Sequence, residues 1–159
     1  MIVILFGVSG TGKTTLGKML AHELSLSFYD ADDFHPKENI KKMASGSPLT
    51  DEDRLPWLQA LAGLLHIWEM QGGAVLACSA LKESYRMRLS REVENISWVY
   101  LNGSPDLIKS RLEQRKGHFF KPELLTSQLE DLEIPKSGIE VDIDQSPEKI
   151  ISELLITLK

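Results

Sequence analysis

Gly7-Val8-Ser9-Gly10-Thr11-Gly12-Lys13-Thr14 is the stretch on which the fold turns. It satisfies the pattern G-x-x-x-x-G-K-[ST] without departure. It stands between the apolar run Ile2–Phe6 and a helical pattern in which Leu16, Met19, Leu20 and Leu24 recur. Glycines let successive backbone N–H groups curl round phosphate oxygens without Cβ clashes, and the helix N-terminus that follows adds partial positive charge. Gly7, Val8, Ser9, Gly10, Thr11 and Gly12 therefore read as a cradle for nucleotide phosphates, continued by Lys13, Thr14 and Thr15. Lys13 has the reach for the β- and γ-phosphates, and the Thr14 hydroxyl suits Mg²⁺.

Outward from this loop, apolar runs alternate with helical periods. Strands are predicted at Ile2–Phe6, 27–29, Ala74–Cys78, 97–101 and 140–143. The continuous runs Val3-Ile4-Leu5-Phe6 and Ala74-Val75-Leu76-Ala77 suit strands covered on both faces, as in a parallel sheet. Leu58, Leu61, Leu65 and Trp68 predict a helix after the break at Leu55-Pro56-Trp57. Ser104-Pro105-Asp106 and Ser146-Pro147-Glu148 each offer an N-cap serine, a first-turn proline and an acid near the positive dipole end. The expected fold class is α/β: a doubly wound, mostly parallel five-stranded sheet with helices on both faces. One domain is expected over 1–159, with a substrate-binding insertion at about 35–70 and a lid at about 116–138. Within these, 35–53 is polar and irregular, and 116–138 has little period beyond a turn near 123–131.

The 159 residues allow a single domain with a real core. The net charge of −5 argues against a general grip on nucleic acid or an anionic membrane. The lone Cys78 forms no internal disulfide, and zinc spacing is missing. The apolar opening is too short for a signal peptide or a membrane span, so a cytoplasmic protein is expected.

A phosphate loop serves GTPases, ATPases and small-molecule kinases alike. Here no Asn-Lys-x-Asp motif reads guanine, and no strand ends in an apolar run plus Asp; 74–79 ends Ala77-Cys78-Ser79. A compact kinase using ATP remains. The second predicted strand runs into Asp30-Ala31-Asp32-Asp33, beside the expected γ-phosphate. A carboxylate there can hold Mg²⁺-bound water or orient an attacking hydroxyl.

Further blocks extend the pattern: His35-Pro36 and Asn39, Lys42-Met43, Gly46, Pro48-Leu49, Asp51, Asp53-Arg54 with Pro56-Trp57-Leu58, and Cys78-Ser79-Ala80-Leu81-Lys82 with Tyr85-Arg86. Arg111-Leu112, Arg115, Gly117-His118-Phe119, Leu125, Ser127-Gln128, Leu132-Glu133 and Pro135 complete it. With these blocks the chain resembles the gluconokinases of the bacterial and eukaryotic P-loop type over nearly all its length. Ala31 stands where that family usually has Gly, Phe34 where it often has Leu, and Leu129 where Phe is usual.

The resemblance implies ATP-dependent phosphorylation of D-gluconate to 6-phosphogluconate, with Mg²⁺, by a homodimer. Lys13, Asp32, Asp30 and Arg115 are the implied catalytic groups, with the division between the two acids open. Asp30 is also a candidate for the metal through water. Asp32, His35, Lys42, Arg54, Arg86, His118 and Gln128 are implied to bind the acceptor; a guanidinium fork at Arg86 suits its carboxylate. Arg111 and Arg115, four apart on one predicted helix face, are implied to reach ATP, one over the adenine and one at the phosphates. The loop Asp144-Gln145-Ser146-Pro147 would wall the adenine slot. The alternatives are a shikimate-type or other polyol-acid kinase, and an ATP-dependent switch without an acceptor.

Lys13→Met is expected to leave a folded protein that has lost nearly all phosphoryl transfer, measured as ADP release. Turnover retained within about tenfold, roughly 1.4 kcal/mol of barrier, would take Lys13 away from the phosphates.

Overall fold

In β1 (Ile2–Phe6) every residue is buried, and the side chains divide by parity. Val3 and Leu5 enter one core, while Ile2, Ile4 and Phe6 enter the other. A computed structural model of the chain describes residues 1–115 and 122–159. The strand is central because β3 (Ala74–Cys78) and β4 (Ile96–Asn102) both pair with it, in parallel. β2 (Ser27–Asp30) adds to β3, and β5 (Ile139–Asp142) adds to β4. The five-stranded order is β2-β3-β1-β4-β5, and each pairing is parallel, as the apolar runs predict.

The first core takes α1 (Lys13–Leu24), α5 (Pro105–Glu113) and α7 (Pro147–Thr157) through Leu16, Leu20, Ile108, Leu112, Ile150 and Leu154. The second takes α3 (Asp51–Met70) and α4 (Glu83–Leu89) through Trp57, Leu58, Leu61, Leu65, Tyr85 and Leu89. The helix after β1 thus leaves on one face and the helix after β3 on the other, although the two strands are neighbours. That switch opens a crevice beyond their C-terminal ends, the position where open α/β sheets take ligands.

Ser104 and Ser146 cap α5 and α7 as predicted, accepting from the N–H groups of Leu107 and Lys149 at 3.2 and 3.3 Å. Three segments differ from the sequence reading. α3 does not wait for Pro56: it starts at a reciprocal capping box between Thr50 and Asp53 and runs through the proline. Pro56 omits only one donor, and its buried neighbours Trp57 and Leu58 hold the helix against the sheet. The stretch 35–53 is not wholly irregular, because α2 (Lys37–Ala44) forms after Pro36 and turns Asn39 inward. The stretch near 123–131, read from sequence as a turn, lies in a full helix, α6 (Pro122–Asp131), whose Leu125 and Leu129 pack on the first core. Among the described residues no helix is long and apolar enough to cross a membrane.

Thr50→Ala is expected to lower stability by about 1 kcal/mol, moving the Tm down roughly 2–4 °C. Urea unfolding that does not change would mean the helix gains nothing from its start ahead of Pro56.

Candidate active site

α1 begins after Gly12, which has no side chain to cap it and lies at φ 92°. α3, α5 and α7 have side-chain caps; the first N–H groups of α1 do not, and they face the crevice open to an anion. Gly10 lies at φ 83°, and a Cβ there would come within 2.7 Å of the Leu112 side chain. Only glycine lets the loop rest on α5 at that point. Inside the loop, buried Thr11 donates its hydroxyl to the Val8 carbonyl at 2.9 Å. Lys13 curls back, donating through Nζ to the carbonyls of Gly7 and Val8 at 3.0 and 2.8 Å. Burial lowers the Lys13 pKa, while the charges of Asp32 and Asp30 raise it and that of Arg115 lowers it.

The two acids after β2 point to different partners. Asp30 caps the short turn Ala31–Phe34, accepting from the Asp32 N–H at 3.0 Å. Its other oxygen accepts from the Thr14 hydroxyl at 3.3 Å. Ala31 needs no left-handed backbone, so alanine costs nothing there, and its carbonyl accepts from Trp57 Nε1 at 2.7 Å. The Asp32 side chain enters the crevice with much of its surface open to water. Partial enclosure there, then the Asp30 charge, raises its pKa, and the Lys13 ammonium opposes the shift. The Thr14 and Asp30 oxygens suit a hard cation. Among the described residues no group of three or more His, Cys, Asp or Glu side chains could hold a metal by itself. A cation at Thr14 would take its remaining ligands from phosphate and water.

A cavity of about 190 Å³ is lined by Ser9, Lys13, Asp30, Asp32, His35, Arg54 and Gln128, among others. The His35 side chain is only 3% exposed, and its ring stacks on Trp57 at 4.2 Å between centroids. Burial, then the Arg54 charge, lowers its pKa to about 4. Arg54 donates through Nη1 to the Leu49 carbonyl and the Tyr85 hydroxyl at 2.8 and 3.0 Å. Its Nη2 lies 3.7 Å from an Asp131 oxygen, so α3 and α6 meet over the cavity. Gln128 on α6 grips the phosphate loop with its whole amide: Oε1 accepts from the Ser9 N–H at 2.7 Å, and Nε2 donates to the Ser9 hydroxyl at 3.0 Å.

A second cavity, of about 200 Å³, lies on the other side of the loop between Thr11, Gly12, Thr15, Arg111, Gln145 and Pro147. Arg111 is fixed there by donating to the Ile143 carbonyl at 2.7 Å. The two arginines do not share a helix face, because α5 ends at Glu113 and Arg115 lies beyond its C-cap Gln114. Arg111 lines the far cavity, whereas the Arg115 charge is felt at Lys13.

Three other expectations fare differently. Lys42 does not line the cavity; its ammonium is held by the Asp53 carboxylate at 2.6 Å. Arg86 is turned away from it, and its five donors are all taken within the protein. Nε and one Nη2 donor go to Glu83, the Nη1 pair to the carbonyls of Ala80 and Leu81, and the last to the Glu133 carbonyl. No fork is left for a substrate carboxylate. His118 lies outside the described residues. Trp57, a member of the second core, also lines the cavity beside Ser79, Ser127 and Leu124. Ser127-Gln128 belonged to the resemblance, but nothing in its spacing placed a helix there over the phosphate loop.

A family model described as shikimate kinase matches residues 9–158. The thermoresistant gluconokinase of Escherichia coli (strain K12) is 44% identical over 163 residues, covering 99% of this chain and 93% of that protein. An unliganded crystal structure of a sugar kinase from Janibacter sp. superposes with a TM-score of 0.94 at 43% identity, over 99% of this chain and 93% of that one. A gluconokinase from Sinorhizobium meliloti 1021 gives a TM-score of 0.90 at 39% identity, over 98% and 90%.

Arg86→Ala is expected to destabilise the fold by roughly 3 kcal/mol, because the buried Ala80 carbonyl, the part-buried Glu133 carbonyl and Glu83 lose their guanidinium donors and the Leu81 carbonyl keeps only the Glu133 N–H. The protein that remains folded should keep its affinity for the phosphoryl acceptor. A selective rise in acceptor KM at unchanged stability would return Arg86 to the site.

Proposed function

The chain belongs to the gluconokinase family of P-loop kinases, and from that premise we propose that it transfers the γ-phosphoryl group of ATP to the 6-hydroxyl of D-gluconate. The products are 6-phospho-D-gluconate and ADP, a step of carbohydrate acid catabolism. One observation carries the reading: Lys13 of the phosphate loop shares a single cavity with Asp32, His35 and Arg54. Groups that handle the transferred phosphate and groups that suit a polyhydroxy acid therefore act in one cavity.

The open N–H groups at the start of α1 hold the phosphates, and Lys13 leaves its loop carbonyls for the β- and γ-phosphate oxygens. Thr14, with Asp30 through water, would hold Mg²⁺, which supplies neutralisation of the phosphate charge. Asp32 accepts the hydrogen bond of the 6-hydroxyl and orients its oxygen at the γ-phosphorus. As the new P–O bond forms, the bond to the β-phosphate oxygen breaks, ADP leaves, and Asp32 takes the proton. Its raised pKa favours that acceptance. Arg54 faces the gluconate carboxylate, His35 a hydroxyl, and Gln128 meets the ligands from above. Arg111 lies against the adenine, and Arg115 offsets charge at the transferring phosphoryl. The protein is proposed to work in the cytoplasm as a homodimer.

The breadth of the shikimate kinase model keeps a shikimate-type acceptor as the second reading. Coupled detection of ADP separates the two. Release should rise strongly with gluconate and hardly at all with shikimate, adenylate or glucose, and Asp32→Asn should abolish the gluconate-stimulated part with nucleotide affinity within about twofold. Equal turnover with shikimate would overturn the substrate assignment.

A further inference from the structure

Asn39 is buried, 4% exposed, and lines neither cavity, yet it touches a ring that does. Its amide Nδ2 lies 2.8 Å from the backbone carbonyl of Asp53 and 3.2 Å from Nδ1 of His35. The carbonyl settles which end of the amide points there. A carbonyl oxygen only accepts, so turning the amide over would set two acceptors against each other. With Nδ2 fixed, its second hydrogen points at His35 Nδ1, and that nitrogen must be the bare acceptor. A neutral imidazole with a bare Nδ1 carries its hydrogen on Nε2. A doubly protonated ring would oppose one N–H to another and is disfavoured by the same contact.

His35 Nε2 faces the cavity, 3.7 Å from Asp32 Oδ1. That is too far for a good direct hydrogen bond; a hydroxyl oxygen about 2.8–3.0 Å from each would see the two at roughly 80°, and a small outward turn of the exposed Asp32 carboxylate opens that angle toward the tetrahedral value a bridging hydroxyl prefers. The chemistry of the two ends is complementary. A hydroxyl donates once and accepts from the other side, Asp32 can only accept when ionised, and the Nε2–H can only donate. We propose that Asn39 is a positioning residue that locks His35 in the Nε2–H form, so that His35 and Asp32 together form a donor–acceptor clamp for one hydroxyl of the acceptor.

This deepens, and rests on, the gluconate kinase reading. It also gives His35 a definite office. The ring serves as a fixed, uncharged donor, and not as a proton-transfer group. Of the charged groups facing it, Arg54 from α3 opposes its protonation, and Asp32, 3.7 Å away on the cavity side, lies outside direct hydrogen-bond range of the Nε2–H. The stacked Trp57 ring holds its plane. The clamp selects for a hydroxyl. A methylene in its place would leave the buried Nε2–H without a partner, while the exposed Asp32 carboxylate could still meet water and the phosphate side of the cavity would be unaffected.

The ring form is read directly in ¹⁵N-labelled, ligand-free protein by long-range ¹H–¹⁵N correlation, with His35 assigned by its loss in His35→Gln. The expected spectrum shows Nε2–H with bare Nδ1, constant from about pH 5 to pH 8. An Nδ1–H ring, or averaging between the two forms, overturns the proposal. Asn39→Asp presents an acceptor to Nδ1 and should shift its hydrogen there. The gluconate kcat/KM should then fall by about tenfold or more with the ATP KM within about twofold, and its pH profile should gain an ionisation in that range. A variant that shows the shifted ring and unchanged gluconate kinetics also overturns it. His35→Gln, which keeps an amide donor near Nε2, should retain far more activity than His35→Phe; equal losses would remove the donor role. Because the ring is read without gluconate, the two readings fail separately. An Nε2–H ring in a protein that gluconate never stimulates would sink the substrate assignment and leave the Asn39 lock standing.

Discussion

All five strands run in one direction, so every loop that leaves a strand C-terminus gathers at the same edge of the sheet. The connections after β1 and β3 then depart on opposite faces, and this parting is what the rest of the molecule is arranged around. It leaves a crevice whose floor is backbone: the glycine loop after β1, tied to the end of β3 by the Gly7 N–H donating to the Ser79 carbonyl at 3.3 Å. A side-chain cap on α1 would fill the position where phosphate must come. Glycine at the N-cap keeps it empty.

The wall opposite the phosphates hangs largely on one helical turn, the start of α3. Asp51 accepts from Lys82 and from the Tyr85 hydroxyl, reaching α4 and the loop before it. The Asp53 side chain accepts from Lys42 and its carbonyl from Asn39, reaching α2. Arg54 reaches Asp131 on α6. Three neighbouring residues on one turn therefore set the positions of three separate elements. The capping box holds their starting point, since Asp53 is a member of both networks. Hydrogen bonding to Lys42 and to the Thr50 N–H lowers the Asp53 pKa to about 2.

Charge in the cavity is arranged by distance as much as by type. Asp30 and Asp32 repel one another and share Lys13, but Asp30 spends its oxygens on Thr14 and the backbone, while Asp32 has its carboxylate free toward the cavity. The two carboxylates thereby differ in environment although they stand two residues apart. Arg54 is satisfied by a carbonyl, a hydroxyl and an acid in part, with its remaining donors at the cavity wall. Arg86, a residue of the same type and 5% exposed, has none left over.

The sequence by itself determined the phosphate loop, the parallel sheet, the serine caps of α5 and α7 and the acids after β2. Each is set by a local rule: glycine permissiveness, unbroken apolar runs, or an oxygen placed to accept from the next turn. The membership of the acceptor cavity was decided elsewhere. Arg54 and Arg86 look alike in sequence, and only the position of nearby carbonyls separates the one beside the cavity from the one locked in structure. Pro56 reads locally as a break, and burial of Trp57 and Leu58 against the sheet overrides it. Gln128 lies 119 positions from Ser9 along the chain, so its grip on the phosphate loop exists only because α6 folds back across the crevice. The form of the His35 ring is likewise beyond any spacing rule. It follows from a carbonyl of α3 orienting an amide of α2, a constraint that exists only once the two helices have packed.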